Sequence, residues 1–173
     1  HVGELIFESI DTPGLIKCLE VSETWKELAE NVLTKRFKGK MFEACYIGET
    51  KIVQLLFDRC NSEENELNNK EGYIFAFIEA CCFGHKDVAK LLLDHPETNI
   101  DLNARSSSGR TALMLACSYG RKDVVQLLLE HSDIIDLNAR KVCRCSRCPT
   151  EGCSLGSTAF MEACKYGHED VVK

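Results

Sequence analysis

The stretch GRTALMLACSYGRKDVVQLLL, residues 109–129, decides the fold. Leucine, valine and small residues recur at helical spacing on both sides of Gly120, which predicts two helices. Thr111 can cap the first helix with its hydroxyl, and Gly120 suits the left-handed conformation that ends many helices. Asp123 stands at the start of the second helix, where negative charge is favoured. The stretch therefore predicts a pair of helices joined at Gly120.

The same pattern occurs four times along the chain. The other copies read MFEACYIGETKIVQLL, FIEACCFGHKDVAKLLL and FMEACKYGHEDVVK, at 41–56, 77–93 and 160–173. The glycines that mark the units are Gly48, Gly84, Gly120 and Gly167. They follow one another at steps of 36, 36 and 47 residues. The second helix of a unit has an apolar face too wide for one helix pair to bury, so a neighbouring unit must cover it. A period of this size predicts a solenoid of stacked helical units.

The third unit resembles the ankyrin repeat, whose pattern is G-x-T-P-L-H-x-A…G-H…V-V-x-L-L-L. The chain has Gly109-Arg-Thr-Ala-Leu-Met-Leu-Ala in the first part, with Ala112 in place of the usual proline and Met114 in place of the usual histidine. In the second unit Phe75 stands where the third has Thr111. The resemblance implies an all-α solenoid of antiparallel helix pairs with short hairpin-like loops, and a concave surface that binds protein partners. It covers residues 38–173, with repeats at 38–70, 71–105, 106–140 and, truncated, 156–173.

The resemblance implies that two variable positions of the first helices point towards the concave side. The residues at the first position form a largely acidic row, and they are Glu43, Glu79, Leu115 and Glu162. The other predicts an apolar and aromatic row, and its residues are Ile47, Phe83, Tyr119 and Tyr166. Such a face suits a partner segment with basic and apolar side chains. The alternative is that the charged residues are ordinary solvated groups and that the aromatic residues only cover the neighbouring unit.

Residues 1–37 do not fit the repeat, and three short helices are expected there. Their I-F-E-S-I-D…L-I…V-S-E-T-W-K-E-L-A pattern resembles an F-box, with Ile10 where leucine is usual. The resemblance implies binding to the small adaptor of a cullin–RING ubiquitin ligase, with the array holding the substrate. The residues that carry it are Ile6, Phe7, Ile10, Leu15, Ile16, Val21 and Trp25. The alternative is a helical cap on a plain ankyrin scaffold, because a solenoid needs its first face covered. The Leu-Pro-x-Glu opening of an F-box would precede residue 1, and residue 173 falls within a helix, so we expect a longer protein with more repeats.

Eight of the eleven cysteines fall into two groups. One per unit follows an alanine, at Cys45, Cys81, Cys117 and Cys164, which predicts small buried core residues and a reducing compartment, the cytoplasm or nucleus. The second group lies in an insertion at 141–155 that lengthens the last step of the repeat. Its thiolates can surround zinc tetrahedrally, and they come from Cys143, Cys145, Cys148 and Cys153. The alternatives are a loop of free thiols, or sequence from a wrongly predicted splice. A metal or thiol sensor built on this insertion is the third function class.

The remaining features of the sequence argue against other classes of function. The formal net charge is −6, and basic residues are not clustered as nucleic-acid binding requires. No apolar run is long enough to span a membrane. Phosphate-binding and dinucleotide-binding motifs and HExxH are lacking, while Cys82–His85 and Cys164–His168 are interpreted as packing residues. We therefore expect a monomeric, non-enzymatic binding protein that needs no cofactor.

Overall fold

Helices make up the regular structure of this chain in the computed structural model, which describes residues 7–37, 40–59, 70–96, 98–142 and 156–173. Residues 7–9 are helical, and ten further helices follow within the described ranges. They are α1 Thr12–Cys18, α2 Glu23–Phe37, α3 Met41–Ile47, α4 Thr50–Arg59, α5 Lys70–Phe83, α6 Lys86–Asp94, α7 Ala112–Ser118, α8 Lys122–Leu129, α9 Ala159–Lys165 and α10 Glu169–Val172. In these ranges the only β-type pairing is an isolated bridge between Arg105 and Thr111.

The repeat units stack as two layers of helices. The first helices of the units, α3, α5, α7 and α9, contact one another in sequence order, and so do the second helices, α4, α6, α8 and α10. Within each unit the two helices also contact each other. The wide apolar faces of α6 and α8 are thereby covered by neighbouring units, as the sequence predicts. Val88, Val124 and Leu128 are fully buried in this way.

The N-terminal helices extend the layer of second helices. The Asp11 side chain caps α1 by accepting a hydrogen bond from the Gly14 N–H at 3.0 Å. Helix α2 packs mainly on α4 of the first unit, and Leu33 on α2 and Leu15 on α1 are fully buried. Helix α2 has 15 residues and is longer than the short helix expected there. Helix α2 contacts both helices of the first unit and so covers the end of the array as a cap would.

Each unit turns at its marker glycine. The φ angles of Gly48, Gly84, Gly120 and Gly167 are +84°, +86°, +66° and +73°, which confirms the predicted left-handed conformation. The predicted cap is also present, because the Thr111 hydroxyl accepts a hydrogen bond from the Met114 N–H at 3.3 Å. Asp123 lies in the first turn of α8, as expected.

A side chain from the following unit packs over three of these glycines. His85 Nε2 donates to the Tyr46 carbonyl at 3.0 Å, Arg121 Nε donates to the Cys82 carbonyl at 3.1 Å, and His168 Nε2 donates to the Ser118 carbonyl at 3.0 Å. Each carbonyl belongs to the residue two places before a marker glycine. This contact, repeated three times, joins every unit to the next and explains why glycine is followed by histidine or arginine in units two to four.

The second unit departs from the hairpin-like entry that the resemblance implies. In the third unit a tight turn at 106–110, closed by Ser106 N–H donating to the Arg110 carbonyl at 2.8 Å, leads into α7. In the second unit α5 begins at Lys70 and runs for 14 residues, twice the length of α7. Phe75 offers no capping hydroxyl, and the apolar residues around it pack well as helix, so the helix continues through the position where α7 begins.

The core cysteines follow the prediction in three units and depart from it in the fourth. Cys45, Cys81 and Cys117 are buried, whereas Cys164 is exposed. Phe160 and Met161 are exposed too, although their equivalents in the third unit, Leu113 and Met114, are buried. The physical reason is that α9 contacts α7 on one side, while no further helix of the described residues packs on its other side.

Candidate protein-binding surface

The aromatic row lies at the C-terminal end of the first helices. Its four side chains occupy the position just before each marker glycine and are between 38% and 51% exposed, and they are Ile47, Phe83, Tyr119 and Tyr166. Folded proteins expose single large apolar residues often, but one at the same position of every stacked unit forms a continuous feature. The structure therefore brings together the four residues that the sequence assigned to this row.

One contact between units links the row to Tyr46, the residue before Ile47. Tyr46, itself exposed, meets Phe83 edge to face, with ring centroids 4.6 Å apart and an interplanar angle of 70°. These side chains are held on rigid helices and against each other. Tyr46 extends the aromatic row. The sequence pattern does not reveal this, because the equivalent residues Cys82, Ser118 and Lys165 share no chemistry with tyrosine.

Only two of the four residues of the predicted acidic row reach the surface. Glu43 is exposed and Glu79 is partly exposed, but Leu115 and Glu162 are buried, so the expectation that they are surface contact residues is wrong. The Glu162 carboxylate has no exposed area. Ser157 Oγ donates to its Oε1 at 2.5 Å, and Arg110 Nη2 lies 3.7 Å from its Oε2. Because a buried carboxylate needs such partners, Glu162 connects the third and fourth units instead of facing solvent.

The F-box-like residues are distributed over different environments. Ile6 lies outside the described residues. Phe7 and Leu15 are buried, whereas Ile10 and Ile16 are partly buried against the core. The two exposed members are Val21 and Trp25. Trp25 packs edge to face on Phe7, with ring centroids 5.5 Å apart. Of the described residues of the pattern, the last two are therefore available to a partner, while Phe7, Ile10, Leu15 and Ile16 contribute to packing.

The two ends of the cysteine-rich insertion meet beside the tight turn of the third unit. Lys141 N–H donates to the Ser157 carbonyl at 2.9 Å, and Gly156 N–H donates to the Lys141 carbonyl at 3.1 Å. Val142 N–H in turn donates to the Gly109 carbonyl at 3.2 Å. The zinc ligands predicted from sequence, Cys143, Cys145, Cys148 and Cys153, lie outside the described residues, so the zinc site stays a prediction. Elsewhere, the described part of the chain contains no group of three His, Cys, Asp or Glu residues placed to hold a metal ion.

In the described part of the first three units, the thiols are buried at Cys45, Cys81 and Cys117 and partly buried at Cys82. Burial raises the pKa of the Cys45 thiol to about 12 and that of Cys117 to about 11, and it raises the pKa of Cys81 further. The pKa of Cys82 is raised by burial first and by the charge of Glu79 second. These thiols remain protonated at neutral pH, and a protonated thiol is a poor nucleophile and a poor metal ligand.

A membrane-spanning element is not found among the described helices, since none of them combines the necessary length with the necessary apolar character.

Comparison with known proteins places the repeats in a family. A family model described as ankyrin repeats (3 copies) matches residues 41–141, which contain α3 to α8 and so the first three units. The match does not extend into the N-terminal helices. A search of curated proteins gave no match. Since the matched region covers more than half of the chain and coincides with stacked helix pairs that turn at left-handed glycines, this chain belongs to the ankyrin-repeat family.

Proposed function

We propose that this chain is a protein-interaction module that holds its partner on the aromatic row of the first helices. One observation carries the proposal: Ile47, Phe83, Tyr119 and Tyr166 expose large apolar surface at one equivalent position in four successive units. Ankyrin repeats act as protein-binding modules, and this row gives the array a defined place for a partner to dock.

The energetics of interfaces favour this row over other exposed groups. Aromatic residues dominate the binding energy of many protein interfaces, because they bury large areas with few rotatable bonds. The row is held by stacked helices, so little side-chain and backbone freedom is lost when a partner docks. Glu43 and Glu79 lie one helical turn before Ile47 and Phe83, at the end formed by the first two units. The partner is accordingly expected to present apolar side chains together with lysine or arginine.

Peptides selected from a random library on the full chain provide the test. Their affinities are measured by fluorescence anisotropy for the wild type and for Phe83→Ala/Tyr119→Ala. We expect the double variant to bind at least about tenfold more weakly, because truncating two central aromatic contacts commonly costs more than 1 kcal/mol each.

The matched control is Leu129→Ala/Ile134→Ala, which removes two exposed apolar side chains away from the first helices. Its affinity should stay within about twofold of the wild type, as expected for residues outside the contact. Equal affinities of the Phe83→Ala/Tyr119→Ala variant and the wild type would contradict the proposal.

A second candidate function is substrate receptor of an F-box-type cullin–RING ubiquitin ligase. It is favoured by the exposure of Val21 and Trp25, two residues of the F-box-like pattern, in the turn before α2 and in the first turn of α2, the helix that packs against the array. An adaptor bound at these residues would be carried by the same rigid unit that holds a substrate on the aromatic row. The alternative is that the N-terminal helices act only as a cap.

The adaptor proposal is tested by mixing the full chain with the purified small adaptor of the ligase and separating the mixture by size-exclusion chromatography. We expect a stable complex that Val21→Ala/Trp25→Ala weakens, because both side chains would be buried in the contact. A wild-type chain that elutes separately from the adaptor would leave the cap as the function of this segment.

A further inference from the structure

A groove of about 660 Å³ lies on the layer of second helices, where the N-terminal helices meet the first two repeat units. Its walls come from the end of α1, from α2, from α4 and from α6. Leu19, Leu55 and Leu91 give it an apolar floor, in which Leu55 is buried while Leu19 and Leu91 are partly buried against the core. The volume is in the range of natural ligand sites, about 300–1,000 Å³. The groove is built by helices other than those that carry the aromatic row.

Carboxylates outnumber basic groups around this floor. The charged lining residues are four acids and two lysines, namely Glu20, Glu30, Asp58, Asp87, Lys26 and Lys51. Lys51 is already paired with Glu20. Lys26 Nζ lies 3.9 Å from Glu23 Oε2. The lining therefore carries a formal charge of −2, four acids less two lysines, and its lysines have acidic partners of their own.

Two of the carboxylates are placed to receive a cation from outside the chain. Asp58 accepts a hydrogen bond from the neutral amide of Gln54 at 3.0 Å, which leaves its negative charge uncompensated by that contact. Asp87 stands in the first turn of α6. Both border the groove together with Leu55 and Leu91, the floor leucines that lie on the same two helices.

We propose that this groove binds a basic segment of a partner protein, in which lysine or arginine stands beside an aliphatic residue. The methylene stem of lysine or arginine covers the leucine floor, while its cation reaches Asp58 and Asp87. A cation–carboxylate contact of this kind is stronger at a partly desolvated groove than in bulk water. A segment without a cation would desolvate these carboxylates without a compensating ion pair. Nucleic-acid phosphates would be repelled by their negative charge. The groove is thus a second docking surface, separate from the aromatic row.

The repeat itself offers a matched control for these two carboxylates. Asp94 occupies on α6 the position that Asp58 occupies on α4, and Asp123 occupies on α8 the position that Asp87 occupies on α6. Neither Asp94 nor Asp123 lines the groove. Asp58→Asn/Asp87→Asn and Asp94→Asn/Asp123→Asn therefore remove the same charge from equivalent helical positions, with the groove affected only in the first case.

The probe is a fluorescein-labelled dodecapeptide of four Lys-Leu-Ser repeats, titrated with the full chain at about 0.15 M ionic strength so that distant charges are screened. We expect Asp58→Asn/Asp87→Asn to weaken binding about tenfold or more, while Asp94→Asn/Asp123→Asn stays within about twofold of the wild type. A peptide with glutamate in place of lysine should not bind. Circular dichroism of each variant confirms that the helices are retained.

Three outcomes would overturn the proposal. The first is no binding of the lysine peptide to the wild type. The second is an equal loss in both double variants, which means that the peptide responds to net charge alone. The third is loss of binding in Phe83→Ala/Tyr119→Ala and not in Asp58→Asn/Asp87→Asn, which would move the peptide to the aromatic row. The third result would contradict binding in the groove but not binding on the aromatic row. The two proposals can therefore fail independently.

Discussion

Replacing Gly48 by alanine is expected to lower the free energy of unfolding by about 2–3 kcal/mol. Gly48 has a φ of +84°, where an L-residue costs about 1–2 kcal/mol. A Cβ at this position would lie 2.3 Å from Nδ1 of His85. The ring must therefore move away and give up its hydrogen bond to the Tyr46 carbonyl, which is worth about 1 kcal/mol. Urea denaturation followed by circular dichroism measures the change.

Gly167→Ala is the matched control for this prediction. Gly167 has a φ of +73°, but a Cβ there would meet no atom within 4 Å. Gly167→Ala should therefore lower the free energy of unfolding by the backbone cost alone, about 1–2 kcal/mol, because no histidine is displaced. A second check is Gly48→Ala in a His85→Ala background, where the additional loss should shrink because the clashing ring is gone. Equal losses for Gly48→Ala with and without His85 would show that the histidine contact does not join the units.

Phe77→Ala is expected to be the most destabilising core substitution, with a loss of about 3–5 kcal/mol. The Phe77 side chain is 1% exposed, on the helix that packs against both α3 and α7. Its removal leaves a cavity in the stack where no side chain can collapse without moving a neighbouring unit. Because each unit is stabilised mainly by its neighbours, damage at α5 weakens two interfaces at once.

Phe75→Ala on the same helix separates burial from residue type. Phe75 is 46% exposed, so its loss should change the free energy of unfolding by about 0.5 kcal/mol or less. Chemical denaturation of the two variants side by side gives the comparison. Similar losses in both would mean that α5 faces the stack with a different side from the one described.

The parts of the fold that the sequence predicted are those decided by local chemistry. Gly120 and Thr111 define the end and the start of α7 through a left-handed φ and a hydroxyl cap, and both signals act within a few residues. The stacking of units also follows from the sequence, because the apolar face of each second helix exceeds what one pair can bury.

The parts that could not be predicted depend on contacts between distant residues. Glu162 looks like a surface acid by comparison with Glu43, yet it is buried, and Arg110 reaches it from the third unit. The length of α5 depends on how Phe75 and its neighbours pack. The groove exists because α2 lies against α4, which the sequence pattern of either helix alone does not reveal.

Photo-crosslinking tests whether the first helices present the partner-binding row. Benzoylphenylalanine is placed at position 119, in the aromatic row, or at position 126, where Gln126 is exposed on α8. Each variant of the full chain is irradiated with a peptide selected on the wild-type chain, and the crosslinked product is identified by mass spectrometry. We expect a crosslink from position 119 and none from position 126. A crosslink from position 126 and none from position 119 would contradict it.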